Sequence, residues 1–149
     1  MALTLEMEDP AVAGARRGDP LAWAELYERF HPVLERYLEV VDPEAVTEMD
    51  LMWERAARAL AGQPEGIDPL IWLLRVARDG KVERPAPEAS DDPAVAAIRS
   101  LSPAQMDVVA LRVVAGLDER DVAAVVGRPV DRVRALGHQG LATLMRDPE

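Results

Sequence analysis

Apolar residues recur along this chain at spacings of three and four and almost nowhere in strict alternation, so the pattern predicts helices and no sheet. The longest stripe joins Trp23, Leu26, Tyr27, Phe30, Val33, Leu34, Tyr37, Leu38 and Val41. It is broken only at His31-Pro32, where a proline that lacks an N–H is expected to kink or split the helix. Met49, Met52, Trp53, Ala56 and Leu60 form a second stripe, and "DPLIWLLRVARDG" is apolar nearly all round except at Arg75 and Arg78. A helix apolar on every side must be surrounded by others, so these segments predict a bundle.

The starts of the helices are written in a repeated dipeptide. Seven of the 12 prolines follow an Asp or a Ser, and six of these pairs precede a helical pattern: Asp9-Pro10, Asp19-Pro20, Asp42-Pro43, Asp68-Pro69, Asp92-Pro93 and Ser102-Pro103. Each pair places a side-chain acceptor at the N-cap and a proline at the first helical position, where its preset φ helps and its missing N–H costs nothing. Glycines supply the stops: Gly18 after Arg16 and Arg17, Gly80 after Arg78 and Asp79, and Gly127 after "ERDVAAVV". Between the helical patterns lies "KVERPAPEASDD", rich in proline and acids and without a stripe, which reads as a linker. The expected fold is all-α, with a helical bundle over residues 1–80, a linker over 81–92 and a second bundle over 93–149.

In the second bundle Ser102 and Gln105 form a capping-box pair that opens a helix running to Ala115 and closed by Gly116. Asp118 with Asp121 then starts a short helix to Val126, and Gly127 leads into a longer one that ends at Met145. A short helix, a glycine turn and a longer helix match a helix-turn-helix, which sets the last helix into a major groove. Its inner face is expected to be Val130, Val133, Gly137, Leu141 and Leu144. Asp131, Arg132, Arg134, Ala135, His138 and Gln139 make the outer face, with groups able to reach phosphates and base edges. The same spacing also fits an ordinary helix pair whose arginines are merely solvated.

Charge sharpens this choice without deciding it. The formal net charge is −10, and the acids are densest in the first half. From Gly127 to Arg146, however, Arg128, Arg132, Arg134 and Arg146 face Asp131 alone. Charges further apart than roughly 8 Å are screened at physiological salt, so a local basic island can bind phosphate on an acidic body. Cysteine is absent, which removes disulfides and thiolate metal sites. With two His, three Ser and three Thr the inventory for catalysis is poor, so no enzyme activity, metal or cofactor is expected. The acidic N-terminus is unlike a secretory leader and no apolar run reaches ~18 residues, from which a soluble cytoplasmic protein is expected.

The stretch "LSPAQMDVVALRVVAGLDERDVAAVVGRPVDRVRALGHQGLATL" resembles the promoter −35-binding domain (domain four) of extracytoplasmic-function sigma factors, small specificity subunits of bacterial RNA polymerase. "AGARRGDPLAWAELYERFHPVLERYL", with "MWERAARAL" and "DPLIWLLRVARD" after it, resembles their domain two, so the likeness covers most of the chain in order. It implies a transcription regulator whose partners are RNA polymerase core, promoter DNA and an anti-sigma factor or other regulatory protein. The DNA contacts implied are Arg128, Arg132, Arg134, His138 and Gln139, and the polymerase or partner contacts Asp50, Trp53 and Arg55.

The chain also departs from that family on its working surfaces. Where members usually carry an Asp, then a Gln and an acid ahead of the aromatic matched by Trp53, this chain has Thr47, Asp50 and Leu51. The connector "AGQPEGID" has acids where members are commonly basic, beside the melted −10 strand. After the fourth helix, only Arg75, Arg78, Lys81 and Arg84 remain of the basic residues. Gln139 stands where Arg is favoured, and Pro129 where a Ser or Thr cap is usual. These departures leave a second function open: a sigma-like protein that acts by binding proteins, without promoter melting. The three tryptophans are expected in the core, with no exposed aromatic platform for stacking bases.

Overall fold

A computed structural model of the chain describes residues 8–79 and 90–146. Helices α1 (Pro10–Arg16), α2 (Pro20–Val41), α3 (Pro43–Val46), α4 (Met49–Leu60) and α5 (Pro69–Asp79) make the first half. The second half holds α6 (Pro93–Arg99), α7 (Pro103–Val109), α8 (Glu119–Val126) and α9 (Val130–Leu144). The expected linker lies, apart from Ser90 to Asp92, outside the described residues, as does the stop expected at Gly80.

Each of the six Asp-Pro and Ser-Pro pairs expected to start a helix does so. Asp9, Asp19, Asp68 and Asp92 each accept a backbone N–H from their helix's first turn at 2.9–3.0 Å, and Ser102 accepts from Gln105 N at 3.3 Å. Asp42 is the exception, making no such cap bond to α3. These local bonds explain why the boundaries are legible, since each satisfies a donor the helix itself cannot.

Two expectations are corrected here. Helix α2 is not split at Pro32 but runs through it as one element, held by burial of Leu26, Leu34, Tyr37, Leu38, Val40 and Val41. The segment expected to be α-helical as far as Ala115 changes after Val109 into a π-helical turn over Ala110–Val114. The looser turn buries Ala110 and Leu111 and leaves Val113 exposed.

Helix α5 is the centre of the molecule. Trp72, Leu73 and Leu74 are fully buried, with α2, α4 and α8 all packed against the helix. Trp23 meets Trp72 edge to face, with ring centroids 6.1 Å apart. Helix α2 also packs on α6 and on the π-helical turn, so the buried side chains of the two halves join in one continuous core.

Arginines stitch the helices together in a repeated way, each donating to carbonyls at or just beyond the C-terminal end of another helix, where the intrahelical ladder runs out. Arg16 on α1 reaches Leu60 O at 2.9 Å and Pro64 O at 3.0 Å beyond α4. Arg75 and Arg78 on α5 reach Ala124 O (2.9 Å) and Val125 O (3.2 Å) of α8. Arg99 on α6 returns the contact, donating to Val40 O at 3.1 Å and to Glu39 O of α2. Three of these four arginines cross between the halves.

At the same seam Asp107 of α7 accepts from two residues of the first half. The Tyr37 hydroxyl donates to Oδ1, and Arg78 donates to Oδ2 from Nη2 at 2.7 Å and from Nε at 3.0 Å. Burial pushes the Tyr37 phenol well above the usual tyrosine range, and the Asp107 charge pushes it further. For Arg78, burial works against the charged form, but Asp107 outweighs it and the guanidinium is held more firmly protonated.

Candidate functional site

Helix α9 is set by α7 and α8. Gly127 ends α8 at φ 70°, a left-handed conformation that a side chain would strain, and this turns the chain into α9. Gly140 lets α9 lie directly on α7: a Cβ there would stand 2.7 Å from Val109 Cγ2. The buried face of α9 is Val133, Leu136, Gly137 and Gly140, with Val130, Leu141 and Leu144 partly covered. Leu136 and Gly140 were not in the expected inner face; the buried face shares Val133 and Gly137 with the expected one but is rotated from it by about 50° around the helix.

Arg128, Arg132, Arg134, His138 and Gln139 are all exposed. At 100° per residue they form two rows along α9, one of Arg134 and His138, the other of Arg132 and Gln139, with Asp131 and Ala135 between them. Arg128 precedes the helix in the turn. Arg134 Nε lies 3.1 Å from Glu119 Oε1 of α8, and its Nη1 lies 3.5 Å from Asp131 Oδ1. No ion pair to Arg128 or Arg132 is seen among the described residues. The first half packs on α8, α6 and the π-helical turn, so the outer face of α9 stays open.

The second group is less coherent. Asp50 and Trp53, three residues apart on α4, flank one edge of its buried stripe of Met49, Met52, Ala56 and Leu60; Arg55 flanks the other. Asp50 is exposed, while Trp53 and Arg55 are half-buried. Trp53 Nε1 donates to His31 Nδ1 at 3.1 Å, and the His31 ring stacks on Tyr27 with centroids 4.3 Å apart. Tyr27 also meets Trp53, at 5.4 Å.

Sequence reasoning missed Tyr27 and His31 as part of this group. Tyr27 was expected on the core stripe and is 46% exposed, so an aromatic cluster does reach the surface. The i, i+4 spacing of Tyr27 and His31 was the available signal. Of the tryptophans, Trp72 is fully buried, but Trp23 and Trp53 are only partly covered. Arg75 and Arg78 are spent on α8 and Asp107. Arg29 and Asp9 make a further exposed pair at 3.1 Å, and the hydrogen bond from Arg29 holds the Asp9 carboxyl below its usual range.

No family model matches the chain, and no curated protein does. A solved structure, CnrH in complex with the cytosolic domain of CnrY, superposes with a TM-score of 0.74 over 90% of this chain and 92% of that one, at 20% identity. A chain of the RsbN-BldN complex is 26% identical over 89% of this chain and 96% of its own, with a TM-score of only 0.40. CnrH is an extracytoplasmic-function sigma factor, and the likeness to it defines the class of fold: this chain has the all-α sigma-like fold.

Proposed function

We propose that the chain is a sigma-type transcription regulator that binds RNA polymerase core and promoter DNA to direct initiation. It acts in the cytoplasm, and the chemistry of the reaction is the polymerase's. The observation that carries this reading is the open outer face of α9, where Arg128, Arg132, Arg134, His138 and Gln139 stand together on a helix-turn-helix. In the proposed division, residues 1–80 act as domain two, 81–92 as a linker and 93–149 as domain four, with Asp50, Trp53 and Arg55 toward polymerase or another protein. Among the described residues, no helix is long and apolar enough to cross a membrane.

The test is to add the chain to core polymerase, recover the genomic fragments it retains, and transcribe from them. Specific fragments should be bound and transcribed, with affinity falling as salt rises. Arg128→Ala with Arg132→Ala should lower the salt slope by about 2, since each phosphate contact contributes about 0.9. Failure of the wild-type chain to retain any DNA at low salt overturns the reading.

A second reading, protein binding without promoter melting, draws on two observations. Arg75 and Arg78 are tied into the seam between the halves, and the cluster of Tyr27, His31 and Trp53 reaches the surface at Tyr27 in the half of the chain richer in acids. Capture of a regulatory protein through this cluster, with no DNA retained, is the result that favours it.

A further inference from the structure

The arginines at the start of α9 are not equivalent. Arg128 and Arg132 are exposed and have no carboxylate partner among the described residues. Arg134 is 49% exposed in its side chain, yet is gripped by Glu119 at Nε and approached by Asp131 at Nη1. Glu119 opens α8, but it does not cap that helix: Asp118 does, accepting the Asp121 N–H at 2.8 Å. The Glu119 carboxylate therefore leaves its own helix and crosses to α9, with a side chain only 28% exposed. Asp131, at 96%, is almost wholly in water. The grip on Arg134 is thus mainly Glu119's.

Two physical consequences follow. An arginine beside a carboxylate has its charge compensated locally, so it adds little to sequence-independent attraction for phosphate. It is also held in one orientation, and with Nε engaged by Glu119 its Nη2 makes no hydrogen bond among the described residues. A fixed guanidinium end is what a paired contact to guanine O6 and N7 needs, whereas a free arginine serves equally well anywhere along the backbone.

We propose that Glu119 is a positioning residue that holds Arg134 to read a guanine edge in the major groove, while Arg128 and Arg132 grip phosphates. This rests on the DNA-binding reading above and assigns a division of labour within it. Arg134 supplies discrimination and little salt dependence; Arg132 supplies salt dependence and little discrimination. Glu119 makes the difference without touching DNA.

The test uses the full chain and a randomised duplex library, from which the wild type and variants each enrich a motif, with salt slopes measured on one enriched duplex. Arg134→Ala should lose preference at a G·C position by about tenfold with the slope nearly unchanged. Arg132→Ala should keep the motif and lower the slope by about 0.9. Glu119→Ala should blur the same position as Arg134→Ala. Glu119→Gln should restore it, because the amide oxygen still accepts from Nε, while the slope steepens by up to about 0.9 as Arg134 loses its compensating charge. Helical circular dichroism checks that each variant is folded. If Glu119→Ala keeps full discrimination while Arg134→Ala loses it, Glu119 has no positioning role. If Arg134→Ala keeps the motif, or if the wild type binds duplexes without selecting one, the assignment falls while DNA binding stands. If the wild type binds no duplex at low salt, both this inference and the DNA-binding reading fall together.

Discussion

Replacing Asp107 by alanine tests whether the two halves are one thermodynamic unit. The carboxylate accepts from the Tyr37 hydroxyl and from Arg78, both contributed by the other half. Tyr37 is 1% exposed, so its hydroxyl would lose its acceptor in a site that is largely shielded from solvent, at a cost of about 1–3 kcal/mol. Arg78 is 27% exposed and keeps Val125 O at 3.2 Å, so its loss is discounted for solvent to about 1 kcal/mol. The expected destabilisation of Asp107→Ala is therefore about 2–4 kcal/mol. Tyr37→Phe alone should cost about 1–2 kcal/mol, because Asp107 then still has Arg78. The decisive feature is the double variant. Removing the orphaned hydroxyl from the Asp107→Ala background should recover about 1 kcal/mol, the opposite sign to its effect in the wild type. Urea unfolding followed by tryptophan fluorescence and by circular dichroism gives all four corners of the cycle. A cost below about 0.5 kcal/mol for Asp107→Ala, or simple additivity in the double variant, would refute the claim that this seam carries energy.

The same phenol predicts an alkaline limit. Its folded pKa is raised, so the stability it contributes is complete below the unfolded value near 10 and is lost as pH rises through that value toward the folded one. Urea midpoints of the wild type should fall above about pH 10 more steeply than those of Tyr37→Phe, and parallel curves would contradict it. On α9, Gly140→Ala and Gly137→Ala should move stability in opposite directions. The first drives a Cβ to 2.7 Å from the β-branched Val109, for a net loss of about 1–2 kcal/mol. The second meets Val108 at an ordinary 3.6 Å and gains up to about 1 kcal/mol of helix propensity, so thermal midpoints that shift the same way would overturn the packing described for α7 and α9.

Much of this protein is determined within a few residues of each position, and that part was legible in the sequence. The Asp-Pro and Ser-Pro starts, the left-handed glycine after Val126 and the stripes of α4 and α5 act through local hydrogen bonds and helical spacing. The all-α class and the turn that presents α9 follow from them, as does the choice of Arg132, Arg134 and His138 as outward groups. What tertiary structure decided is whatever depends on partners far apart in the chain. Nothing local marks Asp107 as the acceptor for Tyr37, 70 residues away, or Arg75 as a cap for α8, 49 residues on. Proline at position 32 reads as a kink or a split, and that the helix is not split there goes with the core that buries one face of α2 on both sides of it. The exposure of Tyr27 likewise depends on which side of α2 its neighbours cover. Glu119 has no sequence signal at all, because its meaning is its distance from Arg134, and only the packing of α8 against α9 sets that.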